Sequence, residues 1–300
     1  MRFIRRGHHQ SARAWLTAGA VLLTATWAVT SPGPDTPPQS PVLKAAATTT
    51  AAAATTTTGA AAATATATPT ISMAPGSATV VGIGDSVTSA SVCGCTGFVE
   101  SYAANLPAAA GGPAHAINLG ANGLTAVELR ALMTTRGPTA AGVAEGDILL
   151  VTIGANDLTP LLSLWQGSGC PAACYSPSVD AVGSDVAAIL SAAKDLRGGR
   201  PTRVLVTDYW NVFADGDVAE ARDGSAYVRW SDELTRALNS RICAVAQNAG
   251  ATCVDLYAPF KGDGSLNPTA LLAADGDHPN AAGNQLISSA LMAATPPPSG

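Results

Sequence analysis

Asp147-Ile148-Leu149-Leu150-Val151-Thr152-Ile153 is an unbroken apolar run that closes at once in Gly154-Ala155-Asn156-Asp157. A run this short and this apolar, with no polar alternation, has the pattern of a strand buried on both faces of a parallel sheet. Outward from it, strand patterns alternate with helical ones. Upstream, residues 79–83 read as a strand that ends at Gly84, and residues 98–106 as a helix stopped by Pro107. Residues 116–119 form a second strand. A helix follows over 125–134, with Thr125 as N-cap and Glu128 at the capping-box position. Downstream, residues 158–177 read as an irregular insert. Val179, Val182, Val186, Ile189, Ala193 and Leu196 then recur at three- and four-residue steps on one helix face. Ser176-Pro177 stands where that helix's N-cap and first-turn proline belong. Residues 203–207 are a fourth strand, Tyr227 to Val245 stripe a long helix, residues 252–256 are a fifth strand, and residues 281–292 a closing helix. This alternation predicts an α/β fold: right-handed crossovers, a parallel sheet and helices on both faces. Sites in such sheets form at the carboxyl ends of strands.

The rest of the chain is of another kind. Arg2, Arg5 and Arg6 lead into an apolar run from Ala14 to Val29, so residues 1–30 read as an export signal peptide, with an uncleaved membrane anchor as the alternative. Residues 31–78 are almost wholly Ala, Thr, Pro and Ser. They offer too little apolar surface to offset the entropy of ordering, and are expected to be a disordered linker with the composition of an O-glycosylated stalk. That leaves residues 79–300 as one domain. It carries 11 Lys and Arg against 20 Asp and Glu, a balance that excludes a nucleic-acid binder. All six cysteines fall in this domain, and an even number in an exported protein favours disulfides. Sequence alone allows 15 connectivities, of which the simplest, local pairing, joins Cys243 with Cys253, Cys170 with Cys174 and Cys93 with Cys95. No Cys-x-x-Cys pair or ligand-spaced histidine accompanies them, which argues against zinc.

Three of the predicted strand ends carry polar residues suited to one chemistry. Ser86 follows the first strand, Gly123 the second and Asn156 the third. A serine hydroxyl is a nucleophile only when a base takes its proton. Of the four histidines, His8 and His9 lie in the export segment and His115 precedes a strand, which leaves His278. Asp275, three residues before it, is placed to hold the imidazole's second nitrogen. Asp277 is the alternative, with a less favourable one-residue spacing. The backbone N–H groups of Ser86 and Gly123 and the Asn156 amide could converge as oxyanion donors. Asp85 and Asp157 read as structural hydrogen-bond partners. Gly84-Asp85-Ser86-Val87-Thr88 is not a Gly-x-Ser-x-Gly elbow, and Gly82-Ile83-Gly84 lacks the third glycine of a dinucleotide loop. Asp215-Gly216-Asp217 and Asp263-Gly264 are fragments of calcium loops without the remaining ligands, so no metal site is expected.

Gly84-Asp85-Ser86, Asn118 to Thr125, Gly154-x-Asn156-Asp157 and Asp275-x-x-His278 resemble, in this order, the four blocks of the SGNH or GDSL-type hydrolases. The likeness covers about residues 79–292, and Val87 stands where that family usually has leucine. It implies a flavodoxin-like three-layer α/β/α sandwich around a five-stranded parallel sheet. It also implies a serine acyl-enzyme mechanism with no metal or organic cofactor: Ser86 as nucleophile, His278 as base, Asp275 orienting it, and an oxyanion hole of Ser86, Gly123 and Asn156. The alanine-rich chain, Thr/Pro linker and acidic exported domain look like an actinobacterial secreted esterase or lipase. Its partner would be a small-molecule, lipid or glycan ester, with membrane or cell-envelope association through the N-terminal segment. Glycan O-acetyl esterase or cell-envelope acyltransferase activity is the alternative reading, and a non-catalytic envelope module a third.

Overall fold

The computed structural model describes residues 77–108 and 112–295. The expected export segment, and all of the expected linker but its last two residues, lie outside the described residues. β1 (Thr79–Gly84) lies between β2 (His115–Gly120) and β3 (Ile148–Thr152). β4 (Arg203–Thr207) and β5 (Thr252–Val254) extend the sheet beyond β3, giving the all-parallel order 2-1-3-4-5. That is the flavodoxin-like order expected of a doubly wound sheet. Gly84 is paired with both Gly120 and Thr152, so the first three strands end level with one another. β3, read above as doubly covered, is buried at every residue.

The helices are α1 (Ser86–Ser89), α2 (Phe98–Asn105), α3 (Ala126–Thr134), α4 (Pro138–Glu145), α5 (Pro160–Ser168), α6 (Ala172–Arg197), α7 (Gly216–Asp223), α8 (Ser225–Asn248), α9 (Tyr257–Lys261) and α10 (Ala281–Ala293). α6 packs against α3, α4 and α8 in one layer, and α2 against α10 in the other. Asn284 of α10 clasps α2 by accepting the Phe98 N–H at 3.1 Å, and the Tyr102 and Thr295 hydroxyls meet at 2.7 Å. Among the described residues no helix is long and apolar enough to cross a membrane. The six cysteines pair as expected, Cys93 with Cys95, Cys170 with Cys174 and Cys243 with Cys253.

Three expectations need correcting. The insert at 158–177 is not irregular: it forms α5 and the first turns of α6. α6 starts at Ala172, not at Ser176-Pro177, so Pro177 lies inside the helix. A proline there removes one helical N–H and crowds the preceding turn. The turn holds because Cys174 is bonded to Cys170, because Ser176 Oγ donates to the Ala172 carbonyl (2.7 Å), and because Tyr175 and Val179 are buried. β5 stops at Val254 because the Leu256 N–H goes to the Asp208 carboxylate (2.6 Å) instead of a neighbouring strand. The oxygens of the two calcium-loop fragments take protein donors. Asp215 pairs with the buried Lys261 (2.6 Å), Asp217 accepts from Asn267 (2.7 Å), and Asp263 accepts the Ser265 N–H (3.0 Å).

Candidate active site

β1 leaves the sheet at Gly84, whose φ is +144°. A Cβ there would collide with the Thr152 carbonyl of β3, so only glycine lets the chain turn this close beneath its neighbour. Asp85 then donates its N–H to that carbonyl (3.0 Å) and caps α1 by accepting the Val87 N–H at Oδ1 (3.0 Å). Its other oxygen accepts the Tyr209 hydroxyl at 2.5 Å. Burial pushes the Asp85 carboxyl up to about 7, against the opposing pull of the Tyr209 and Val87 hydrogen bonds. Ser86, the first residue of α1, is thereby held half-buried at the mouth of a cleft.

The segment that brings His278 to the same cleft is a small hairpin. Ala273 N–H donates to the His278 carbonyl (2.7 Å), Asn280 N–H to the Leu271 carbonyl (2.9 Å), and Leu272 bridges Pro279. Asn280 then caps α10. Gly276, at the hairpin tip, has φ +71°, accepts the Asp215 N–H (2.7 Å) and lies so close to Val218 that a side chain there would strike it. The tip is thus docked on the start of α7. Within it Asp275 Oδ2 meets His278 Nδ1 at 2.7 Å, while Oδ1 accepts the N–H groups of Asp277 (2.9 Å) and His278 (3.1 Å). Burial raises the Asp275 carboxyl, but these bonds outweigh it and hold the group below the ordinary carboxylate range. Among the described residues Asp277 makes no side-chain hydrogen bond to the ring, and it lines the cleft beside His278.

Asn156 reaches the cleft from the loop after β3. Its amide donates one N–H to the Leu124 carbonyl (2.9 Å) and has a second to offer. Asp157 fastens the same loop to the start of α3 by accepting the Ala126 N–H (2.8 Å). In the block around Asn118, the Asn118 amide donates to the Thr88 carbonyl (2.9 Å), and Asn122 accepts the Ser89 hydroxyl (2.6 Å). Gly123 is exposed, with φ +74°, and is not among the residues that line the cleft. The structure therefore brings Ser86, Asn156 and the Asp275–His278 pair together and leaves Gly123 at the margin.

The fourth wall was not legible in the sequence. Residues 208–215, between β4 and α7, are buried throughout, and Tyr209, Asn211 and Val212 face the cleft. A buried loop must find partners for its backbone, and α8 supplies them. Asn239 accepts the Tyr209 N–H (3.1 Å) and donates to the Tyr209 carbonyl (2.7 Å), Thr235 accepts the Val212 N–H (3.1 Å), and Ser231 accepts from the Asn211 amide (2.9 Å). Ser231, Thr235 and Asn239 fall every fourth residue on the inner face of a helix; that polar stripe was the available signal. The insert at 158–177 is linked to this wall through aromatic rings: Trp165 stacks on Trp230 at 5.5 Å and meets Tyr227 edge-on at 5.3 Å, and Trp230 stacks in turn on Phe213 of the loop at 5.9 Å.

Comparisons with known proteins bear on the fold and the family of this chain. No curated protein matches the chain. Among solved structures, a lipase from a goat rumen metagenome superposes with a TM-score of 0.59 at 19% identity, over 73% of this chain and 97% of the lipase. A variant of an acetyl-xylooligosaccharide esterase from Geobacillus stearothermophilus gives 0.53 at 20% identity, over 74% and 96%. At such identities these likenesses establish the shared fold. A family model, the GDSL-like lipase/acylhydrolase family, matches residues 83–286, a span that holds all four sequence blocks and every residue placed above. The chain belongs to the GDSL-like lipase/acylhydrolase family, serine hydrolases that act on esters.

Proposed function

We propose that the protein is an exported serine esterase that works through an acyl-enzyme. The observation that carries this reading is the His278 ring, held by Asp275 through Nδ1 and turned toward the cleft that Ser86 enters. His278 takes the proton of Ser86 Oγ as that oxygen adds to the ester carbonyl. The tetrahedral oxyanion is received by the Ser86 N–H and the free Asn156 N–H, with the Gly123 N–H as a third donor once substrate draws its loop inward. Collapse breaks the bond to the alkoxy oxygen, which leaves as the alcohol with the proton from His278. Water, deprotonated by the same imidazole, then releases the acid and restores Ser86. The export assignment is supported by the basic and apolar N-terminal sequence and by the three cysteine pairs.

The cleft is small, about 30 Å³. That favours a short acyl group. The test is hydrolysis of p-nitrophenyl esters of two to sixteen carbons by the full chain and by Ser86→Ala. The expected result is turnover greatest at two to four carbons and reduced at least about a thousandfold in the variant. Equal turnover by both proteins would refute the assignment of Ser86.

A further inference from the structure

Asp277 is the acid of the hairpin that the catalytic reading leaves unused. Asp275 takes the imidazole and two backbone N–H groups, whereas the Asp277 carboxylate receives no hydrogen bond among the described residues. It nonetheless lines the cleft with Ser86, Asn156 and His278. Arg222, the nearby cation, is turned to Asp223, its Nε 2.7 Å from that carboxylate. Asp277 is half-buried, so water can serve its carboxylate in the free enzyme, and a substrate that displaces that water must bring donors in its place.

We infer that Asp277 is a specificity residue that accepts hydrogen bonds from free hydroxyls of the ester's alcohol part, and so selects short-acyl esters of polyols and sugars over those of aliphatic alcohols. This rests on the serine-esterase reading above. The acyl group is limited by the size of the cleft, so the larger part of a substrate is its alcohol, which must pass Asp277 to place the ester carbonyl at Ser86. A hydroxyl-bearing alcohol satisfies the carboxylate's lone pairs. An aliphatic one strips its water and returns nothing, and an acidic one is repelled. A site built to bond a hydroxyl discriminates strongly against the analogue that lacks it.

Glycerol monoacetate and propyl acetate share acyl group and carbon skeleton and differ in two hydroxyls. The experiment is kcat/KM on both for the full chain and for Asp277→Ala and Asp277→Asn. The measured quantity is the ratio between the two substrates, which is independent of the fraction of protein folded. Wild type should prefer the glycerol ester about ten- to a hundredfold. Asp277→Ala should bring the ratio close to one, and Asp277→Asn, which keeps an acceptor oxygen, should fall between. A wild-type ratio near one, or a ratio unmoved by Asp277→Ala, would overturn the inference. So would an equal fall on both esters, which would mean that Asp277 serves the imidazolium rather than the substrate. Each of these leaves the esterase reading standing. Absence of wild-type turnover on every ester, p-nitrophenyl acetate included, would overturn both.

Discussion

Tyr209 reaches Asp85 from 124 residues away and, among the described residues, is the one side chain that donates to the carboxylate beneath the Ser86 turn. Tyr209→Phe removes that donor and leaves the ring in place. The turn should lose precision rather than fold, so kcat should fall about tenfold with KM little changed. An unaltered kcat would show that the Val87 N–H alone holds Asp85. The same carboxyl has a second consequence. Asp85 and Asp208 are both raised to about 7, and Asp277 to about 6, chiefly by burial. The folded domain therefore binds these protons more tightly than the unfolded chain does. The stability they contribute is complete below about pH 4, declines as the pH rises, and is gone above about 7. Urea midpoints measured from pH 4 to 8 should fall across that window, and Asp85→Asn should flatten part of the decline. A midpoint that rises from pH 4 to 7 would contradict this sign.

At the scale of elements, α8 does two jobs with two faces. Tyr227, Trp230, Leu234, Leu238 and Ile242 bury against the core, and Ser231, Thr235 and Asn239 hold the 208–215 loop. Asn239→Leu should cost about 2–3 kcal/mol in urea denaturation, because it orphans a buried N–H and carbonyl at Tyr209. It should lower kcat as well, since Tyr209 moves with the loop. A loss below about 0.5 kcal/mol would mean that water replaces the amide. The apolar stripe of α8 was readable from the sequence and its polar stripe was not, since isolated Ser, Thr and Asn look like solvent-facing residues until the loop they serve is seen. Strands were legible because β3 and β1 are apolar throughout. α4, α7 and α9 were not, being short, alanine-rich or polar. α5 carried its own signals, Pro160 at its first position and Gly169 (φ +80°) just past its end, and was obscured by the cysteines that follow.

For the molecule as a whole, the parallel sheet with helices on both faces followed from alternation, and the flavodoxin-like arrangement from the family resemblance. What alternation does not determine is the route of the long connections after β4 and β5, and these carry Tyr209, Asp277 and His278. Cys243–Cys253 ties α8 to β5 across a ten-residue separation, next to one of those routes. Replacing both by alanine should cost about 2–3 kcal/mol. Thermal or urea unfolding of both proteins under oxidising conditions would measure it, and the difference between them should vanish once both are reduced.

The clasp between α10 and α2 also sets an order in time. His278 follows Ser86 by 192 positions, and Asn284, which secures α2, comes later still. Chain emerging from a ribosome presents the proposed nucleophile first and completes the constellation only when residue 278 has followed. A chain cut short before residue 278 would hold the proposed nucleophile without its proposed base, and so should be inactive however well its sheet has formed.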